Sequence, residues 1–313
     1  MSGINWKIWA ALLSVYIAWG STYLAIRFAV ETIPPFLMAA TRFLVAGLIL
    51  FAWRKAVGDP LPRRLEWRSA AVIGLFLLLG GNGGVSWAEQ RVPSGIAALI
   101  VGSAPLWMVL LDAIRPGGIR PGWRTVAGVI IGFVGIALLI GPSQLAGVGQ
   151  SQDNTGILVL LLAAFLWAVG SLYGRGAKLP TSPLMGTSME MLTGGLGLLA
   201  AGTLTGEWSR LDVSSISMAS IWGLLYLIVF GSLIGFAAYT WLLRAAPTPL
   251  VSTYAYVNPL IAIFIGNLLA SEPLTPQILI SAVVIIGAVA LINTSRMEAP
   301  GKIKAPSPST GND

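Results

Sequence analysis

The chain of 313 residues consists mainly of long apolar runs, each bounded by charged residues, proline or glycine. A helix needs about 20 mostly apolar residues to cross the hydrocarbon core of a bilayer. Runs of that length predict ten transmembrane helices, near 7–29, 34–53, 68–88, 93–113, 123–141, 155–174, 182–204, 217–242, 247–269 and 274–294. The connections are too short for a soluble domain, so we expect the functional residues to lie among the helices.

The two ends of the chain differ in character. The first run contains Arg27, lacks a small-residue cleavage site and resembles the later runs, so we expect it to be retained rather than removed as a signal. Residues 296–313 are rich in Pro, Ser, Gly and Lys and have no apolar face to bury. This segment is predicted to be a disordered cytoplasmic tail.

Lysine and arginine residues concentrate on one side of the predicted helices. Of the 19 Lys and Arg residues, Arg27 and Arg42 lie within runs, Arg91 and Arg210 lie on one side, and the other 15 share the side of the N-terminus. Because cytoplasmic loops are enriched in these residues, we predict a multi-pass protein of the cell inner (plasma) membrane with both termini in the cytoplasm. The net charge of +7 then follows from topology and requires no nucleic-acid partner.

The two halves of the chain are related by a weak, ordered repeat with an offset of about 150 residues. The matching positions include Trp19 with Trp167, Pro35 with Pro183, Gly81 with Gly235, Trp87 with Trp241, Pro93 with Pro247 and Pro105 with Pro259. Each half holds five runs, an odd number, so the second copy enters the membrane from the opposite side. The pattern predicts an all-α integral membrane fold, with ten transmembrane helices in two inverted five-helix repeats, residues 1–148 and 149–295.

Inverted repeats are typical of secondary transporters, which bind their solute near the membrane midplane. The alternative is a duplicated membrane scaffold that transports nothing. Composition supports the membrane class, since 56% of the residues are hydrophobic, only 10% are charged, and the mean hydropathy is +0.81. Cysteine and histidine are both absent, which excludes disulfides, thiolate chemistry and histidine relays. We therefore predict no catalytic residues, no metal and no cofactor.

Three ionisable residues lie clearly inside predicted spans, namely Arg27, Arg42 and Glu190. Charges at that depth are costly and face a cavity or a partner. Arg42 and Glu190 occupy equivalent positions in the two halves, so they either bind opposite ends of a substrate or form a structural ion pair. Glu190 is the candidate proton carrier if transport is coupled to protons. Arg27 lies near a helix end, where its side chain can extend to the headgroups.

Polar and aromatic residues interrupt several runs, at 19–23, 80–84 and 167–173, and prolines interrupt the fourth and ninth. The predicted substrate-binding residues are Trp19, Tyr23, Arg42, Asn82, Trp87, Trp167, Glu190, Tyr239, Tyr254 and Asn258. The alternative for any one of them is structural, because small residues let helices approach closely and aromatic residues form interfacial belts. Glu89, Arg91 and Glu272 fall at outer helix ends and are expected to be solvated caps, with a role of Glu89 at the outer mouth as the alternative, since it closely follows Trp87.

Several segments resemble the EamA branch of the drug/metabolite transporter superfamily. They are AWGSTY at 18–23, Arg42-Phe43, VPSGIAA at 92–98, SMEM at 188–191 and STYAYVNP at 252–259. The resemblance implies ten helices in two inverted repeats, cytoplasmic termini and a central cavity used to export amino acids, related metabolites or toxic compounds.

The leading prediction is export of a small polar or amphipathic solute, such as an amino acid, by alternating access. A multidrug exporter is the alternative. A membrane-embedded enzyme would lack paired acid and base residues, and a channel would lack a repeated filter or charge ring. The expected partners are a small-molecule solute and the lipid bilayer. The coupling ion, and whether the protein is a monomer or a homodimer, stay open.

Overall fold

The computed structural model describes residues 6–116, 121–141, 154–246, 248–251 and 253–297. Every regular element in this part of the chain is helical. The long helices are α1 (Trp6–Ala29), α2 (Pro35–Ala56), α3 (Arg64–Ala88), α4 (Ser94–Ile114), α5 (Trp123–Ile140), α6 (Asn154–Gly174), α7 (Pro183–Leu204), α8 (218–245), α9 (Tyr254–Ala270) and α10 (Pro276–Met297). Short helices at Glu207–Arg210 and Thr248–Val251 precede α8 and α9.

Seven of these helices, α1 to α6 and α8, are long and apolar enough to cross a membrane. α9 and α10 contain shorter apolar segments. α7 has 22 residues, and its glycines, threonines and Glu190 lower its hydropathy. Large apolar side chains such as Trp123, Phe264 and Val283 point outward and are mostly exposed. Helices form their backbone hydrogen bonds internally, so helices with an apolar outer surface are suited to lipid. The predicted all-helical membrane class is therefore confirmed.

The connections alternate between the two ends of the helix bundle. One end, which we name the Glu272 end, holds the connections 30–34, 89–93, 205–217 and 271–275. The other, the Asp112 end, holds 57–63, the described residues around 115–122, and 175–182. Contacts confirm each grouping. Thr32 donates to Ser220 at the Glu272 end (2.8 Å), and Arg175 lies 3.8 Å from Asp112 at the other end.

The helices contact one another in a regular pattern. α2 packs on α7, and α5 packs on α10. α1 packs on α8 and α9, while α6 packs on α3 and α4. Each of these contacts therefore has a counterpart made by the helices five places away in the chain.

Irregular turns interrupt three of the described helices, and a fourth contains a proline. α3 contains a π-helical segment at Leu75–Gly83, and α8 contains one at Leu227–Ile234. α4 is interrupted at Gly102 and Ser103, and α9 carries Pro259 inside the helix. Such turns are frequent at functional sites and hinges.

The interruptions expected in the first and sixth runs are absent, because α1 and α6 continue through 19–23 and 167–173. In α1 the polar side chains bond to their own helix. The hydroxyl of Ser21 donates to Ile17 O (2.6 Å), and that of Thr22 donates to Trp19 O (2.6 Å). Their hydrogen bonds therefore need no break in the backbone.

Two helix ends differ from the sequence prediction. α3 begins at Arg64, earlier than expected, because the carboxylate of Glu66 accepts from the backbone N–H of Arg63 (2.6 Å) and caps the first turn. α10 continues to Met297, so residues 296 and 297 are helical rather than part of a tail. The remainder of the predicted disordered tail, 298–313, lies outside the described residues.

Candidate functional site

A cavity of about 150 Å³ lies in the middle of the bundle, enclosed by residues of α1, α2, α3, α4, α6, α8 and α9. Most of its wall is apolar, with a few polar groups at separate points. Seven of the ten residues predicted to bind substrate line it, namely Trp19, Tyr23, Arg42, Asn82, Trp167, Tyr254 and Asn258. An apolar cavity with few convergent polar groups is the usual form of a small-molecule site.

Arg42 is the one charged side chain among the described residues that line the cavity. It is 4% exposed. Its Nε donates to the hydroxyl of Ser232 (3.0 Å), and its guanidinium carbon lies 4.6 Å from the ring centre of Phe43. No carboxylate in the described part of the chain lies within ion-pair distance. Because a buried charge is costly without a counter-charge, this guanidinium is suited to an anionic group of a ligand.

Hydrogen-bond acceptors face the cavity from two other helices. Pro105 in α4 and Pro259 in α9 have no N–H, so the carbonyls of Val101 and Ala255, one turn earlier, lose their usual helical donors. Both of these residues line the cavity. The side-chain oxygen of Asn258 is buried there without a hydrogen-bond partner among the described residues. These three oxygens could accept hydrogen bonds from a ligand.

Aromatic rings form one wall of the cavity. The ring of Trp19 lies 5.2 Å from that of Phe236, 5.0 Å from Tyr239 and 5.2 Å from Tyr254. Its indole N–H donates to Gly231 O in the π-helical segment of α8 (3.1 Å). This network holds Trp19 against the segment of α8 that is least regular.

Trp19 and Trp167 occupy corresponding places in the two halves. Trp167 lies so close to Gly81 that a Cβ added there would be 2.8 Å from its ring, and a Cβ added at Gly235 would lie closer still to the ring of Trp19. In each half, a tryptophan of the first helix therefore packs against a glycine in the irregular helix of the other half.

Three predicted residues do not line the cavity. Tyr239 lies behind the wall, in contact with Trp19 and Tyr254. Trp87 lies towards the Glu272 end, with the guanidinium of Arg91 over its ring at 4.1 Å. Glu190 lies on α7, the helix that packs on α2 and α3.

Arg42 and Glu190 do not form an ion pair in the described structure. α2 and α7 run antiparallel, since Gly47 faces Met191 and Leu44 faces Gly195. This register puts Arg42 and Glu190 roughly seven residues apart along the helix axes, on the order of 10 Å at 1.5 Å per residue.

The Glu272 end holds buried charges that the sequence analysis assigned to solvent. Glu272 caps a helix, but the helix is α4, and its carboxylate accepts from the N–H of Ser94 (2.8 Å) and of Gly95 (3.0 Å). Glu89 is 1% exposed, so its expected solvation is wrong. Arg91 is exposed as expected. The hydropathy pattern places a residue at a helix end but does not show whether another helix covers that end.

Arg27 lies between these two carboxylates rather than at a lipid headgroup. Its Nε is 3.6 Å from a carboxylate oxygen of Glu272, and its Nη1 donates to the backbone oxygen of Glu89 (3.3 Å). Arg27 thus joins α1, the end of α3 and the connection that precedes α10.

Comparison with known proteins identifies the family. The model of the EamA-like transporter family matches residues 5–141 and again residues 154–294. The chain belongs to the EamA-like transporter family. As an EamA-like transporter it is a membrane protein that carries a solute, and the resemblance found in the sequence is confirmed.

Curated relatives of this EamA-like transporter agree with the family match. It is 38% identical over 299 residues to the protein named "Uncharacterized inner membrane transporter YedA" of Escherichia coli K12, covering 94% of this chain and 93% of the relative. It is 28% identical to "WAT1-related protein At3g02690, chloroplastic" of Arabidopsis thaliana, covering 91% of this chain and 69% of the relative.

One solved crystal structure has the same fold as this EamA-like transporter. It is 20% identical, with a TM-score of 0.62, and the match covers 93% of this chain and 98% of the other. At that identity the likeness extends to the fold alone.

Proposed function

We propose that this EamA-like transporter exports a small zwitterionic solute, an amino acid, across the inner membrane by alternating access. Its fold consists of ten transmembrane helices in two inverted five-helix repeats, residues 1–148 and 149–295. The solute binds in the central cavity and contacts Arg42 and the cavity-facing oxygens of α4 and α9.

Four observations support the inverted repeats. The family model matches the chain twice. The helix contacts of the first half recur in the second. The π-helical segments Leu75–Gly83 and Leu227–Ile234 fall at corresponding places in α3 and α8. The packing of tryptophan against glycine recurs in both halves. Rocking of one repeat against the other around a central site is the usual mechanism of such proteins.

The cavity in this structure is closed towards the Glu272 end. Residues 94–100, in the half of α4 near that end, are all buried. In the other half of α4, Val101, Pro105, Met108 and Leu111 are only partly buried. The excess of Lys and Arg supports assigning the Asp112 end to the cytoplasm. This conformation therefore faces the cytoplasm, from which an exporter loads its solute.

The amino-acid assignment rests on the buried Arg42, the single charge on the cavity wall. A guanidinium favours a carboxylate and repels the lipophilic cations that a drug exporter carries. The oxygens of Val101, Ala255 and Asn258 would then accept from an ammonium group. The cavity of about 150 Å³ is also smaller than the roughly 300–1,000 Å³ of sites for drug-sized ligands. Both features favour an amino acid over the alternative of a multidrug exporter.

Uptake into proteoliposomes tests the proposal. A panel of labelled amino acids and a panel of lipophilic cations are compared for the wild type, Arg42→Gln and Arg42→Lys. We expect saturable amino-acid uptake by the wild type. Uptake should fall by about ten-fold or more in Arg42→Gln, because the substitution removes a hydrogen bond between charged groups. Lysine restores only part of it because it cannot bind a carboxylate bidentately.

The matched control is Arg244→Gln, which removes an exposed arginine at the Asp112 end. Its uptake should equal that of the wild type. Transport of lipophilic cations without transport of amino acids would support the multidrug alternative. Unchanged amino-acid uptake by Arg42→Gln would reject the role of Arg42.

A further inference from the structure

Glu89 lies between the cavity and the Glu272 end. It follows Val85 of α3 by one helical turn, and Val85 lines the cavity. On the facing helix α1, Arg27 follows the cavity residue Tyr23 by one turn. A solute that leaves the cavity towards the Glu272 end therefore passes these two side chains.

The carboxylate of Glu89 has no partner in the described part of the chain. The side chain is 1% exposed, and neither of its oxygens accepts a hydrogen bond. Burying an ionised carboxylate without partners is far more costly than burying a neutral carboxyl group. The closed arrangement is therefore compatible with a protonated Glu89 and unfavourable for an ionised one.

The charged and titratable groups around Glu89 come from several elements. From α1, Arg27 bonds to the backbone oxygen of Glu89 and pairs with Glu272. From α2, Arg42 is bonded through Nε to Ser232. Tyr23 of α1 faces the same space. Arg91, two residues further on, is exposed and lies over Trp87.

None of these groups donates to the carboxylate of Glu89. Glu272 adds a second negative charge nearby, and its oxygens are occupied by the N–H groups of α4. The part of α6 that packs against α3 here contributes buried apolar residues, among them Leu160 and Ala163. Arg27 and Arg42 place positive charge near Glu89, but no group in the described part of the chain donates a hydrogen bond to its carboxylate.

We propose that Glu89 is the proton-binding residue that couples export to the entry of a proton. When the Glu272 end is open, a carboxylate oxygen of Glu89 forms an O–H bond with a proton from the external water. The neutral side chain is then buried as that end closes. The proton leaves to water on the cytoplasmic side through the cavity. This inference rests on the proposed transport function. The coupling is antiport, because the proton moves in the direction opposite to that of the exported solute.

Closure of the Glu272 end is measured first, without any solute, so that the result does not depend on the substrate. The chain has no cysteine, so a single thiol can be introduced at Val92, which is buried at that end. Maleimide labelling of Val92→Cys is divided by that of Val213→Cys, an exposed position at the same end. The ratio removes the intrinsic pH dependence of the thiol.

We expect this ratio to fall several-fold as the medium changes from mildly alkaline to mildly acidic, because protonation lets the end close. Glu89→Gln, which is permanently neutral, should show the low ratio at every pH. Glu89→Asp keeps a titratable group and should keep the pH response. The matched control is Glu190→Gln, since Glu190 is a carboxylate in the middle of a long helix, α7, and does not line the cavity. It should behave as the wild type.

Proton movement in proteoliposomes completes the test. Wild-type amino-acid uptake should respond to a pH gradient and alkalinise the lumen, because antiport moves a proton out as the solute enters. Glu89→Gln, whose Glu272 end is expected to stay closed without solute but to open with solute bound, should retain exchange of labelled for unlabelled amino acid and lose the response to the gradient. A labelling ratio that is independent of pH in the wild type, or a pH response that persists in Glu89→Gln, would overturn the proposal. Absence of amino-acid uptake with an intact labelling response would instead reject only the substrate.

Discussion

Asn258 lines the cavity, and its buried side-chain oxygen has no hydrogen-bond partner among the described residues. Under the proposed function this oxygen accepts from the ammonium group of the solute. We expect Asn258→Ala to raise the KM for an amino acid by about ten-fold, the value of one hydrogen bond to a charged group. The KM for the corresponding acid without its amino group should stay unchanged, because that acid has no donor for the oxygen.

The control for this prediction is Asn267→Ala in the same helix. Asn267 is exposed and donates to the backbone of Glu272 rather than into the cavity. An equal loss for the amino acid and its amine-free analogue in Asn258→Ala would show that the side chain supports packing and does not recognise the ammonium group.

Residue types explain which cavity positions the sequence could predict. Polar and aromatic side chains in apolar runs, such as Asn82 and Tyr254, are costly against lipid and therefore turn inward. Glu89 could not be predicted, because its burial depends on helices distant in sequence. Glu190 was assigned to the cavity through its equivalence with Arg42, but the antiparallel register of α2 and α7 separates the two.

At the scale of the helices, the π-helical segment of α3 packs closely against α6. A Cβ at Gly81 would lie 2.8 Å from the ring of Trp167. We expect Gly81→Ala to cost about 1–3 kcal/mol of stability through overpacking and to lower the initial rate of uptake. The midpoint of thermal unfolding in detergent measures the first effect. Gly235→Ala, which meets Trp19 in the same way, should act alike.

Gly287→Ala serves as the reference, because a Cβ added at this position in α10 meets nothing within 4 Å. Both substitutions gain the same helix propensity, about 1 kcal/mol, so their difference isolates the contact with the ring. Equal unfolding midpoints and uptake rates for Gly81→Ala and Gly287→Ala would mean that α3 accommodates the added methyl group without strain.

The helices themselves were largely predictable, since length and hydropathy are properties of local sequence. Their irregularities were less so. Glycine-rich 80–84 was expected to interrupt α3, and it does so as part of a π-helical segment that begins at Leu75. The same reasoning failed for α1, where hydroxyl groups bond back to their own helix. Sequence marks where a helix can deform, while packing against neighbours decides whether it does.

For the molecule as a whole, the proposed orientation puts the Asp112 end in the cytoplasm. The cysteine-free chain allows a direct measurement with a membrane-impermeant maleimide on intact cells. Val213→Cys at the Glu272 end should be labelled at once, and Gly176→Cys at the Asp112 end only after the membrane is permeabilised. Both positions are exposed. The opposite pattern would reverse the orientation, and with it the direction of transport inferred from the closed end.

The all-helical membrane fold could be predicted, because the long apolar runs that indicate it are a property of the local sequence. The sequence could not predict which end of the cavity is closed. Which end is closed depends on contacts between halves, such as those of Glu272 with α4, and no local pattern encodes them.

These contacts also have a consequence for synthesis. The cap on α4 joins Ser94 to a residue 178 positions later. At roughly 5–20 residues per second, the ribosome needs on the order of ten to thirty seconds to add that stretch. During this interval the nascent first half has an uncapped helix and lacks the partner helices of the second half. Membrane insertion therefore produces a partly folded intermediate, whose helix packing is completed only when the last part of the chain emerges from the ribosome.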